Sequence, residues 1–220
     1  QQQQQEQEHG IEDAAIATRR RPPMPSSEPS VRLVDLLCSR STQSTALGTR
    51  FYWYVAVERC DSQYGELFAR VEQQLHAALE AHNAPLLTML ERQRHFVQML
   101  ATKNAELRVS RDTRPKKIEK LRALLADRKA GLRTLDPPLS LPLDPDVCIT
   151  GVAVENSTVF KSNLFPWRLE FRVDDDTSTY TVIVKNGDDL RQDQLVLQLF
   201  ALMDSLLRDE HLDVCITPYH

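Results

Sequence analysis

Near residue 135 the apolar residues of this chain change period, from three-to-four before that point to two after it. Only a helix uses the first spacing and only a strand uses the second. The chain therefore divides into a helical stretch and a β-containing stretch. The break falls at Pro137-Pro138, with Pro142 and Pro145 close behind. Ahead of the helical stretch, residues 1–30 open with five glutamines and pass through Arg19-Arg20-Arg21-Pro22-Pro23. That composition cannot bury a core and reads as a low-complexity linker.

Five helices are expected between residues 31 and 134. Ser30 is placed to cap the first, which carries Val31, Val34 and Leu37 on one face. The second covers 45–58 and holds the aromatic cluster Phe51, Tyr52, Trp53 and Tyr54. The third carries Leu67, Val71, Leu75, Ala78 and Leu79. Pro85 marks the start of the fourth, with Leu86, Leu90, Val97 and Leu100. The fifth carries Ile118, Leu121, Leu125 and Leu132. Helices of this number and length suggest stacked hairpins, a bundle or a solenoid piece. The locally basic segment from Arg111 to Arg122 reads as a solvated turn and helix face, with acidic lipid or a partner as the other reading.

After the prolines, 147–154 reads as a strand. Leu169, Phe171 and Val173 alternate with Arg168, Glu170 and Arg172, which marks a half-buried strand. Asp174-Asp175-Asp176 is a turn, and 179–184 is the returning strand. Asp189 and Gln192 have capping-box spacing ahead of a helix with Leu195, Leu199, Leu202, Met203 and Leu206. Val214-Cys215-Ile216 reads as a last short strand. The fold class is α+β: an all-α, solenoid-like domain, then an antiparallel sheet with one main helix.

Net charge is −4, which argues against a general nucleic-acid binder, since such a surface must be basic. No apolar run reaches the roughly 20 residues of a membrane-spanning helix, and the N-terminus lacks the apolar core of a secretory signal. Cys38, Cys60, Cys148 and Cys215 have no metal-ligand spacing and read as free thiols. A cytosolic protein without its own anchor is expected.

Chemistry concentrates in Val182-Ile-Val-Lys-Asn-Gly-Asp-Asp-Leu-Arg-Gln-Asp-Gln194. Lys185 ends an apolar strand, so its ammonium projects from a fixed platform, and Asp193 lies just inside the next helix. A strand-end lysine paired with a helix carboxylate can hold ATP phosphates. On those two residues alone, a surface lysine and a helix-start aspartate remain the stronger reading.

Gly187-Asp-Asp-Leu-Arg-Gln-Asp193 resembles the signature of phosphatidylinositol 3- and 4-kinase catalytic domains. Phe160-Lys-Ser-Asn-Leu-Phe-Pro166 resembles the short phosphate-binding loop of that family, and Leu212-Asp-Val-Cys-Ile-Thr-Pro-Tyr219 resembles its strand towards the hinge. Val34-Asp-Leu-Leu-Cys-Ser-Arg-Ser41 and Phe51-Tyr-Trp-Tyr-Val55 resemble the helical domain of class III phosphatidylinositol 3-kinases, the vacuolar-sorting type. Asn186 and Trp167 depart mildly from the animal class III pattern. The resemblance implies a helical domain over 31–134 and part of a kinase small lobe over 135–220.

The same resemblance implies roles. Lys185 would contact ATP phosphates, and Ser162 would touch them by hydroxyl or backbone N–H. Phe160 and Ile183 would line the adenine pocket. Asp193 would pair with or orient Lys185, while Asp188 and Tyr219 would line the inner pocket. Arg191, Asp189 and Gln192 would have structural roles at the helix start. The implied reaction moves the γ-phosphoryl of ATP to the 3-hydroxyl of phosphatidylinositol. Regulatory protein subunits, peripheral attachment to endosomal and autophagic membranes, and no nucleic acid are implied with it. The catalytic loop and the Asp-Phe-Gly element that hold Mg²⁺ or Mn²⁺ are not among these residues. Residues 1–220 alone are therefore expected to contain no catalytic residue and to transfer no phosphate. Two other functions stay open: a non-catalytic helical scaffold with a degenerate kinase lobe, and a phosphatidylinositol 4-kinase.

Overall fold

The structure is a computed structural model that describes residues 28–174, 178–187 and 189–216. Residues 1–36 and residues 37–220 group separately. In the first group the described residues belong to the opening of α1 (Glu28–Gln43), where Leu33 and Leu36 are exposed. That helix begins before Ser30, so Ser30 is not its cap.

Helix α2 (Thr45–Glu58) starts where Ser44 Oγ accepts the Leu47 N–H at 3.3 Å. This satisfies one of the amides that a helix start leaves unpaired. Asp61 accepts from the Gln63 and Tyr64 amides at 2.8 and 2.9 Å, turning the chain into α3 (Gly65–His82). Asn83 then serves both sides of the next junction. Its Oδ1 caps α4 (Ala84–Val109) at Leu86 N–H, while its Nδ2 donates to Thr42 O at 2.9 Å. Pro85 sits in the first turn of α4, where its missing N–H leaves no bond unmade.

Helix α4 has 26 residues, so it is about 39 Å long. Its buried stripe is Leu86, Leu87, Leu90, Gln93, Phe96, Leu100 and Asn104. Two of these are polar, which the apolar pattern did not predict. Gln93 accepts the Trp53 indole N–H at 2.8 Å and donates to Ser140 O at 2.7 Å.

Helix α5 (Arg114–Ala126) buries Lys117, Leu121 and Leu125. Leu132 does not belong to it. A single 3₁₀ turn (Arg128–Ala130) and Gly131, at φ +66°, end the helical path first. Leu132 is nevertheless buried, and its carbonyl accepts the Val152 N–H.

The sheet has five antiparallel strands among the described residues: β1 (Leu139–Ser140), β2 (Cys148–Val152), β3 (Thr158–Val159), β4 (Trp167–Val173) and β5 (Thr179–Val184). β4 is central. β5 lines one side of it, and β2 and β3 share the other. Gly151, in the irregular stretch of β2, could not carry a side chain. A Cβ there would collide with Arg133 O and the Arg172 guanidinium.

Trp167, Leu169 and Phe171 point inward from β4 and are almost fully buried. They meet Phe96 and Leu100 of α4 and Leu121 and Leu125 of α5 in one hydrophobic core. The Phe96 and Phe171 rings lie 5.9 Å apart. Each such side chain contributes on the order of 1.5–3 kcal/mol by leaving water. The core thus runs across residue 135, where the hydrophobic period changes.

The last helix, α6 (Arg191–Asp209), contains no buried residue. Leu195, Leu199, Leu202, Met203 and Leu206 form an exposed apolar face. Past it, 212–216 forms no strand. Asp213 Oδ1 accepts the Cys215 N–H at 2.9 Å, and Cys215 has φ +54°, so local turn chemistry replaces extension.

Candidate functional site

The register of three strands builds one end of the sheet. Val159 pairs with Trp167, and Trp167 pairs with Val184. One step further, the Phe160 N–H donates to Pro166 O at 2.9 Å. Lys185 follows Val184 directly, so Phe160, Pro166 and Lys185 come level across the sheet end. The loop between Phe160 and Pro166 is closed by its own backbone. Ser162 N–H donates to Phe160 O, and Phe165 N–H donates to Ser162 O, both at 3.1 Å. Phe165 takes φ +46°, an unusual state for a non-glycine residue.

The alternation of β5 turns Ile183 to the outer face, where it is 56% exposed, opposite Arg168. Phe160 is 38% exposed beyond buried Val159, and Ser162 and Lys185 are exposed. The structure therefore gathers Phe160, Ser162, Ile183 and Lys185 at one end and one open face of the sheet. Asp193 lies half-buried in the first turn of α6. Asp188 and Tyr219, and Asp175 and Asp176 of the expected turn, lie outside the described residues.

The helix start differs from the expected capping box. Leu190 occupies the cap position and α6 has no side-chain cap. Asp189 instead accepts the Arg191 backbone N–H at 3.1 Å and its guanidinium, with Nη2 at 2.7 Å. The Arg191 hydrogen bonds hold the Asp189 carboxyl down to about 2. Asp189 thus accepts from the Arg191 amide and guanidinium, and Leu190 rather than Asp189 stands at the cap position. Arg191 also reaches Asp61 Oδ2 at 3.4 Å and Glu58 Oε2 at 3.9 Å, between α2 and α3. These contacts lower the Asp61 carboxyl less than its hydrogen bonds from the Tyr64 and Gln63 amides do.

The basic segment from Arg111 to Arg122 is solvated at Arg111, Arg114, Lys116 and Lys120 but not at Lys117. Lys117 is 1% exposed, in phase with Leu121 and Leu125. Its Nζ donates to Leu107 O, Arg108 O and Ser110 O at 2.6, 3.1 and 2.7 Å, and to Ser110 Oγ at 3.0 Å. Burial pushes its ammonium below the usual lysine range. Arg114 Nε donates to Val159 O at 2.8 Å. Arg122 donates to Ser157 O and Glu155 O at 3.2 and 2.6 Å.

Carbonyls left open at the end of α4 and along β3 explain where the charge goes. Across the site, Arg108 Nη1 donates to Asn186 O at 2.7 Å, and Asn186 Nδ2 donates to Ala101 O at 2.8 Å. None of these contacts was read from the sequence. The spacing of four from Lys117 to Leu121 to Leu125 was the one available signal.

A family model described as "Phosphatidylinositol 3- and 4-kinase" matches residues 179–220. The chain is 41% identical over 191 residues to a Schizosaccharomyces pombe protein named phosphatidylinositol 3-kinase pik3, covering 85% of this chain and 23% of that one. It is 38% identical over 195 residues to the Arabidopsis thaliana phosphatidylinositol 3-kinase VPS34, covering 85% and 24%. It is 36% identical over 187 residues to the Saccharomyces cerevisiae protein of that name, covering 85% and 20%. The chain spans about a quarter of the length of the curated relatives it matches.

Proposed function

This chain belongs to the phosphatidylinositol 3-kinase family, and we propose that it supplies the nucleotide-facing part of a lipid kinase that converts phosphatidylinositol to its 3-phosphate. One observation carries the reading. Strand register sets Lys185 level with the Phe160–Pro166 loop, at the point where the signature begins.

Phosphoryl transfer is catalysed mainly by positioning and charge, because the migrating group carries its charge on peripheral oxygens. Lys185 would place an ammonium against the phosphates of ATP. Ser162 would add its hydroxyl or backbone N–H from the facing loop. Phe160 and Ile183 present apolar surface on the same face, suited to the flat adenine ring. Asp193 would orient Lys185, and Asp188 and Tyr219 would complete the inner wall.

A kinase of this family uses ATP with a divalent metal. As the resemblance implies, Mg²⁺ or Mn²⁺ would be held by residues other than these. The helical part, 31–134, would be the scaffold on which the small lobe, 135–220, is built. No helix among the described residues is long and apolar enough to cross a membrane. Peripheral contact with endosomal or autophagic membranes, with regulatory subunits attached, would follow from the resemblance.

The test is Lys185→Met in the active lipid kinase that carries this sequence. Turnover should fall at least about 100-fold while the protein stays folded. Wild-type turnover in a folded variant would refute the reading. Analysis of the phosphorylated lipid separates a 3-kinase from a 4-kinase.

A further inference from the structure

We propose that the last turns of α4, locked by Lys117, position the nucleotide-binding end of the sheet, with Lys117 and Arg108 as positioning residues; this rests on the functional reading above. Two segments enter the site, the loop between Phe160 and Pro166 and the strand exit at Lys185. Both are moored to residues 101–110, in α4 and the turn after it, and the loop is held also by Arg114 and Lys117 of α5.

The loop is moored through Phe165. The Lys117 ammonium lies 4.5 Å from the centre of its ring, a cation–π distance. Asn104 Nδ2, from a fully buried side chain, reaches Phe165 O at 3.5 Å. Arg114 holds Val159 O, one residue before the loop begins. Phe165 keeps its left-handed backbone only because its surroundings over-determine it.

The strand exit is moored through Asn186, which exchanges hydrogen bonds with α4 in both directions. Arg108 donates to its carbonyl, and its side chain donates to Ala101 O. Gly187, first residue of the signature, has φ +93°. A Cβ there would land on the Arg108 guanidinium. The glycine thus lets the arginine lie against the backbone.

Lys117 ties these moorings together, because three of its four acceptors are carbonyls at the end of α4 and in the turn that follows it. Without the ammonium, these part-buried carbonyls lose a charged donor, Leu107 O keeping only the Ser110 hydroxyl, and the turn would shift to regain partners. Both Phe165 and Arg108 move with it. A shift of about 1 Å in a positioning element can lower catalysis about 100-fold without touching the reacting groups.

The experiment uses the full-length kinase with ATP and phosphatidylinositol vesicles. Lys117→Met and Arg108→Met are expected to raise the KM for ATP about tenfold or more and to leave the KM for phosphatidylinositol unchanged. Lys120→Met is the control. That side chain is on the same helix but pairs with Asp112 at 2.5 Å and touches neither loop. An unchanged KM for ATP, or an equal rise for both substrates, overturns the proposal and leaves the two residues merely structural. Should Lys117→Met fail to fold, Arg108→Met decides alone, since Arg108 is only half-buried. Lys185→Met runs beside them. Full activity in that variant defeats the functional reading itself, whatever the other variants show.

Discussion

Helices α5 and α6 reverse the usual relation between pattern and packing. α6 has the clearer apolar stripe, yet none of its residues is buried. α5 is rich in lysine and arginine, yet it buries Lys117, Leu121 and Leu125 against β3, β4 and α4. A 3.6-residue stripe states that a helix forms, not that a partner for it is present. Conversely, a basic helix can be internal when the elements around it end in open carbonyls. Four cationic side chains of that segment are committed in this way or to a carboxylate: Arg114, Lys117, Lys120 and Arg122.

The sharpest way to break this contrast is to truncate one leucine on each helix. Leu121→Ala should cost about 2–5 kcal/mol, because it empties a site with no exposure. Leu199→Ala, at a half-exposed position, should stay within about 0.5 kcal/mol. Urea unfolding of this chain measures both. Equal losses would show that α6 is packed as firmly as α5.

A smaller effect tests the polar side of the contrast. Asp189 is held down to about 2 by Arg191, so its folded value lies below the ordinary aspartate value. Such a group contributes stability above its unfolded pKa and loses it as pH falls through the folded one. Between about pH 4 and about pH 2, Asp189→Asn should therefore flatten the fall of the unfolding midpoint. The difference should shrink in high salt, because the pair is exposed. A variant with the parent's acid profile would show that the Asp189–Arg191 pair does not form in solution.

Local rules carried most of the helices and the two long strands. Ser44 at the start of α2, Pro85 in the first turn of α4, and the alternation from Trp167 to Val173 are each decided within a few residues. What the sequence hid depends on distant partners. Gln93 is buried because Trp53 and Ser140 reach it, and Lys117 because α4 ends beside it. The expected Asp189–Gln192 box lost to a stronger partner two residues away, a charged arginine. Val214 to Ile216 looked like a strand by composition, but Asp213 draws the Cys215 amide into a turn. The short strands β1 and β3 are too brief for a period to show. In the candidate site, the end of an apolar strand drew attention to Lys185, but on the residues alone a surface lysine was the stronger reading and only the resemblance raised it. The loop facing it was legible only through resemblance, since its closure is made by backbone groups that carry no sequence signal.

The central claim is that Lys185 and the Phe160–Pro166 loop face the phosphates of ATP. An acyl-phosphate derivative of ATP, which acylates amines lying against the phosphates, tests it directly in the full-length kinase. Peptide mapping should find Lys185 acylated and the labelling abolished by excess ATP. Lys129, in the 3₁₀ turn after α5, should label weakly whether or not ATP is present. Labelling of Lys185 that excess ATP does not block, or no labelling at all in an active preparation, would contradict the account.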